Sequence, residues 1–173
     1  MDLMQVLLDA MGNPLSYSVI FFIYVVLAAV ILPIPVELGL FNPELPQPLR
    51  WILPIAILAA GKGVGAYIVF NIGYRARRKL KALSMGGRLT TRIVGAAERF
   101  VRRYGRIGLF VIMSIPLMID SVSLYLFSLL NPYEQEDAAL AERNFVVINV
   151  AAGAVRGIII MAVAYYVGVR LTG

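Results

Sequence analysis

Leu32-Pro33-Ile34-Pro35-Val36-Glu37 closes the apolar run Val19 to Leu32 with two helix breakers and a carboxylate. Proline offers no amide donor and its ring collides with the preceding helical turn, so a helix stops here. In hydrocarbon such a break survives only where protein or a wet cavity covers the backbone groups it frees. An ionisable side chain beside it is costly in the same surroundings, which makes Glu37 a candidate functional group. A second stretch, Ser114-Ile115-Pro116-Leu117-Met118-Ile119-Asp120-Ser121, repeats the order of proline then acid within another apolar run. Together they set the expected fold: an all-α integral membrane protein of two pseudo-repeats. Each would be a proline-broken, re-entrant or spanning segment followed by a transmembrane helix rich in small residues.

Composition agrees with that class. The chain has 173 residues, 60% of them hydrophobic and 15% charged, against about 45–50% apolar in soluble domains. One membrane domain, 1–173, is expected. There are no cysteines, so neither disulfides nor thiolate metal sites can form. There are no histidines either, which removes the commonest general base and metal ligand. Serine–histidine intramembrane proteolysis and histidine-dependent lipid phosphatase chemistry are excluded, and neither a metal nor a cofactor is expected. Met1 to Gly12 carries Asp2 and Asp9 and no basic residue. It lacks the positive start and cleavage site of a signal peptide, so the first apolar run is expected to stay in the mature protein.

The net charge of +6 is not spread evenly. Eleven of the sixteen basic residues lie between Arg75 and Arg106, with Glu98 the one acid among them. That asymmetry is the positive-inside pattern, which places loop 75–106 in the cytoplasm of a multi-pass cell-membrane protein. Anionic lipid headgroups, not nucleic acid, are its expected partners.

Taken in order, residues 1–12 read as a short interfacial helix stopped by Gly12-Asn13-Pro14. Leu15 to Leu32 is the first long segment, at the lower limit for spanning. Ile52 to Ile72 is the second. Its Gly61 and Gly65 form a small-xxx-small pair that admits a neighbouring helix. Lys62 lies so deep in that run that an interior position is favoured over snorkelling to water. Residues 76–103 form a basic loop holding an amphipathic helix. Arg88, Arg92, Arg99, Arg103 and Arg106 share the face turned to lipid phosphates. Ile107 to Leu130 is the third segment, with Pro116 and Asp120. Ser114, Ser121 and Ser123 lie close by and could bond freed backbone groups or solvate an ion. In the fourth, 145–169, Asn149, Gly153 and Arg156 make a polar stripe that should face protein or water.

Ala59-Ala60-Gly61-x-x-x-Gly65 recurs as Ala151-Ala152-Gly153-x-x-x-Gly157. Each copy carries a cation, Lys62 or Arg156, and follows a break, Pro33/Pro35/Glu37 or Pro116/Asp120. The chain thus divides into halves 15–75 and 104–170. Interrupted segments at matching places in two halves point to a transport site. If every segment spans, the halves are parallel; if the broken segments turn back, they are inverted. The prolines favour turning back, while charge bias alone cannot choose.

At these residues the chain resembles the DedA family, also called the VTT or SNARE-associated Golgi protein family. Pro33-Ile34-Pro35-Val36-Glu37 is similar to its P-x-P-small-E motif. Gly65-Ala66-x-x-x-Phe70-x-x-Gly73-Tyr74-Arg75 is similar to its G-D-x-x-x-Y-x-x-G-R helix, with Ala66 at the aspartate. Arg103-Tyr104-Gly105 and Pro116 resemble its K-Y-G start and later proline, with Met113 and Ile119 at the flanking arginines. Leu32–Leu38 and Tyr104–Leu117 are also similar to the putative small multidrug export proteins. The resemblance implies two re-entrant segments and lipid translocation or scrambling, sometimes proton-coupled.

The leading expectation is a transporter that moves a phospholipid or polyprenyl-phosphate headgroup through a polar groove. Glu37, Asp120, Lys62 and Arg156 would line it, with Asn149, Ser114 and Ser121. The alternatives are an exporter of a cationic small molecule or ion, with the same carboxylates as counter-charges, and a scaffold whose ion pairs serve helix assembly alone. An enzyme is the least favoured class. Homo-oligomers stay open.

Overall fold

The structure, a computed structural model, describes residues 3–31, 35–83, 103–130 and 141–172. Among these every regular element is helical: α1 Leu3–Asp9, α2 Pro14–Val30, a 3-10 turn Val36–Leu40, α3 Leu49–Leu83, α4 over 103–114, α5 Asp120–Leu130 and α6 Glu142–Thr172. Two windows are long and apolar enough to cross a membrane, Leu49–Ala76 with mean hydropathy 1.8 and Glu142–Gly168 with 2.2. The outward faces are apolar too, including Val19 and Ile23 of α2, Val122 of α5 and Ile158 and Val163 of α6.

Both breaks fall where proline demanded them. Asn13 caps α2 by accepting from the amides of Leu15 (2.9 Å) and Ser16 (3.3 Å), and Pro14 occupies the first turn, where a missing amide costs nothing. The helix ends at Val30. The third apolar segment, read as one run over 107–130, is two helices parted by residues 115–119. The second is longer than its apolar part: α3 carries on past Ile72 through Arg75 to Leu83, so the first basic residues continue a helix instead of opening a loop. Arg88, Arg92 and Arg99 lie outside the described residues, as does Pro33.

Chain direction follows from who meets whom. A Cβ on Gly61 would lie 2.7 Å from Val25 Cγ1, and one on Gly65 would press on Ala29. The partner number rises with the α3 number, so α2 and α3 run parallel although they are consecutive. The chain between them must therefore return the length of α2. It does so along α2 itself. The Tyr24 hydroxyl donates to the Pro35 carbonyl (3.4 Å), the Tyr17 hydroxyl to the Gly39 carbonyl (2.6 Å), and Asn42 Nδ2 to the Met11 carbonyl (3.2 Å). Leu7, Phe21, Leu40 and Leu45 close one core beneath this leg.

Against α3, the helix α6 runs the other way. Glu142 meets Asn71 (3.4 Å), a Cβ on Gly153 would sit 3.1 Å from Ala59 Cα, Gly157 faces Ile55, and Tyr165 stands edge-on to Trp51 at 5.8 Å. Here the two residue numbers change in opposite senses. Ser128 Oγ of α5 donates to the Val69 (3.2 Å) and Phe70 (3.3 Å) carbonyls, while Asp120 meets Lys62, so α5 parallels α3. Leu109 and Met113 of α4 share a core with Leu124 and Phe127 of α5. These two helices form a hairpin that opens toward the C-terminal end of α3, with its tip level with Lys62. The α2 hairpin opens toward the N-terminal end.

Candidate functional site

Where the two hairpins meet, four ionisable side chains form one chain of ion pairs. Arg156 donates through Nη2 to Glu37 Oε1 in a short contact, and through Nη1 to Asp120 Oδ1 at 2.7 Å. Lys62 Nζ donates to the same Asp120 oxygen at 3.1 Å. Lys62 is 0% exposed, Arg156 1%, and Glu37 and Asp120 6% each. Lys62 and Asp120 sit 58 residues apart, Arg156 and Glu37 119 apart. Each half thus supplies the counter-charge for the other.

Backbone groups freed by the second break complete the cluster. Lys62 Nζ also donates to the Met113 carbonyl (3.0 Å), and Arg156 Nη2 to the Met118 carbonyl (3.1 Å). The Leu117 amide donates to Glu37 Oε1 at 2.9 Å. Carbonyls that lose helical partners at a break are good acceptors for a buried cation. Two positive and two negative groups sum to zero. Unpaired, four charges in a membrane would cost about 10–14 kcal/mol on insertion scales, as much as the roughly 5–15 kcal/mol that stabilises a whole domain. Mutual pairing is what makes the cluster tolerable.

Three buried atoms have no hydrogen-bond partner among the described residues: Glu37 Oε2, Arg156 Nε and Asn149 Oδ1. The first two belong to the same ion pair, which therefore keeps bonding capacity in reserve. Asn149 is fully buried, and its Nδ2 donates to the Phe145 carbonyl one turn back (2.8 Å).

The other sequence candidates fall around this centre. Ser114 Oγ donates to the Phe110 carbonyl (2.7 Å) and Ser123 Oγ to the Ile119 carbonyl (3.4 Å), so both hydroxyls are turned onto their own helices or the break. Ser121 is buried beside Asp120. Pro35 precedes the 3-10 turn that carries Glu37, and Pro116 lies in the break before Asp120. Each of Gly61, Gly65, Gly153 and Gly157 lies at a helix contact. A side chain on Gly153 would displace Lys62, whose Cδ lies 3.0 Å from the added carbon. Arg103 and Arg106 are exposed at the start of α4, far along the helix from the cluster, and the Arg103 guanidinium sits 5.6 Å from the centre of the Tyr104 ring.

Sequence reasoning missed the pieces that hold Glu37 in place. Tyr17 and Tyr24 recur at seven-residue spacing on the buried face of α2 and pin the returning leg, a signal that helical periodicity could have raised. The bonds from Leu117, Met113 and Met118 use backbone atoms and have no side-chain signature. Ser128, which ties α5 to α3, was also passed over. No protein-family model, curated protein or solved structure matches this chain.

Proposed function

We propose that the chain is a membrane transporter of two inverted, re-entrant halves, and that the four-charge cluster is where a lipid headgroup crosses. The observation that carries this reading is the direction of the helices. With α2 parallel to α3, and α4 and α5 paired as a hairpin, neither broken segment makes a net crossing, whereas α3 and α6 cross in opposite senses. That is the inverted arrangement in which transport sites sit at the repeat interface near the bilayer centre. Depth supports it. Lys62 is eleven residues after Trp51 and twelve before Tyr74, about 16–18 Å along a helix from either aromatic anchor.

The chemistry suits phosphate. Arg156 offers each carboxylate one arm of a planar fork, the geometry by which a guanidinium also takes two oxygens of a phosphate. A monoanionic headgroup that displaces one carboxylate adds one negative charge to a neutral cluster. One proton taken up by the released acid restores neutrality, so one proton per such headgroup is the natural stoichiometry. Tails need not enter, because the outward faces are apolar. Likeness to the DedA family favours the same substrate class and the cell membrane as location, with the basic stretch in the cytoplasm.

The test is flux in reconstituted vesicles, followed with headgroup-labelled phospholipid and polyprenyl phosphate beside a labelled cation. The protein should accelerate lipid exchange, and Glu37→Gln and Asp120→Asn should each return it to the protein-free rate while remaining folded. Unchanged lipid flux in both variants removes the assignment; cation flux alone moves it to the exporter reading. One feature favours a scaffold: the cluster is already neutral and covered. In that case Lys62→Met/Asp120→Asn would leave activity in cells intact.

A further inference from the structure

The tip of the second hairpin is held in a shape its own residue disfavours. Leu117 has φ 62°, the one non-glycine residue with positive φ among those described. A branched L-residue loses roughly tenfold in population there relative to its ordinary conformation. Side-chain packing does not compensate, because Leu117 is 77% exposed. What holds it is an ion pair, Glu37 on the other hairpin's leg and Arg156 on α6. Glu37 accepts the Leu117 amide at 2.9 Å, and Arg156 donates to the carbonyl of the next residue, Met118, at 3.1 Å. Glu37 and Arg156 thus clamp two consecutive residues between them. The neighbouring side chains Ile115, Met118 and Ile119, and Leu38 beside Glu37, are exposed and apolar. The buried charges thus bond the backbone of residues whose own side chains are exposed.

The two acids are not equivalent. Asp120 Oδ1 accepts from both cations, Lys62 and Arg156. Glu37 Oε1 accepts from Arg156 and one backbone amide, and its Oε2 has no partner among the described residues. The groups around Glu37 are Arg156 from α6 and, beyond it, Asp120 from α5 and Lys62 from α3. Tyr17 and Tyr24 of α2 bond the leg's backbone. Protonating Glu37 would therefore disturb one cation contact, where protonating Asp120 would disturb two. A proton on Glu37 turns a charge-assisted acceptor into a weaker neutral one.

We propose that Leu117 is the positioning residue of a strained latch, closed by ionised Glu37 and released, with sideways opening of tip 115–119, when Glu37 is protonated. The proposal rests on the inverted arrangement given above and deepens the transport reading of the same site. Its direction suits a headgroup whose tails stay in lipid, because the exposed tip residues are all apolar.

The chain has no cysteine, so Ser114→Cys, buried behind the tip, reports opening through its rate of alkylation by N-ethylmaleimide. Dividing by the rate of exposed Ile107→Cys removes the thiol's own pH dependence. Between about pH 7.5 and about pH 4, a range that crosses the ordinary glutamate value of about 4.3, the normalised rate should rise several-fold. In Glu37→Gln it should be high and flat. Leu117→Gly removes the strain that favours opening and should lower the rate about tenfold. Leu117→Ala keeps the backbone preference and should track the parent protein. A rate independent of pH in the parent, or glycine and alanine behaving alike, overturns the latch even if vesicle flux is intact. Absent flux with this labelling pattern leaves the latch standing and removes the translocation reading.

Discussion

Arg156→Met is the most informative single perturbation of the cluster. Among the described residues the arginine is the one bonded to both acids, and it also bonds the Met118 carbonyl. Its loss leaves the Leu117 amide as the one described donor to Glu37 and leaves the buried cluster with a net charge of −1. Truncating one partner of a buried ion pair costs about 3–5 kcal/mol. Lys62→Met also leaves −1, but Asp120 then keeps Arg156 at 2.7 Å, so about 2–3 kcal/mol, the worth of a charged hydrogen bond, is expected. Adding Glu37→Gln to Arg156→Met returns the net charge to zero, with Lys62 still on Asp120. The double variant should therefore be more stable than the sum of its parts by about 1–3 kcal/mol. Equilibrium unfolding in mixed micelles, followed through the single tryptophan, Trp51, packed on Tyr165, measures all three. A cost below about 1 kcal/mol for Arg156→Met, or strict additivity with Glu37→Gln, would refute the pairing argument.

Three further outcomes follow from the packing. Gly153→Ala should loosen the α3–α6 crossing and cost about 1–3 kcal/mol by overpacking, because the new carbon meets Ala59 Cα at 3.1 Å. Gly12→Ala, where nothing lies within 4 Å, should be close to neutral in the same unfolding assay. Tyr17→Phe should cost about 1–3 kcal/mol by leaving the buried Gly39 carbonyl without its hydroxyl donor. Proteolysis or alkylation of the 35–45 leg should speed up with it, while α5 and α6 keep their protection.

The two breaks were legible because proline, acid and apolar run are neighbours in sequence, and a break needs no tertiary information. The interior position of Lys62 was legible for a related reason: too many apolar residues flank it on either side for its amine to reach water. The small-residue contacts at Gly61 and Gly153 also showed in the spacing. What they touch did not, since a glycine pair admits a helix without saying which one or in which direction. Pairing was further out of reach. Lys62 with Asp120 and Arg156 with Glu37 are contacts between halves, and any acid could in principle have met any cation. The left-handed Leu117, on a residue with no preference for that conformation, gives no local signal; only the clamp formed by Glu37 and Arg156 makes it tenable.

The sidedness of the returning leg tests the inverted arrangement most directly. Single cysteines at Asn13, Gln47, Arg75 and Arg143, each labelled by a membrane-impermeant reagent from one side at a time, decide it. Asn13 and Gln47 should be reached from one face of the membrane, and Arg75 and Arg143 from the other. Labelling of Asn13 and Gln47 from opposite faces would mean that the first broken segment crosses the bilayer, and the shared site between two opposed hairpins could not exist.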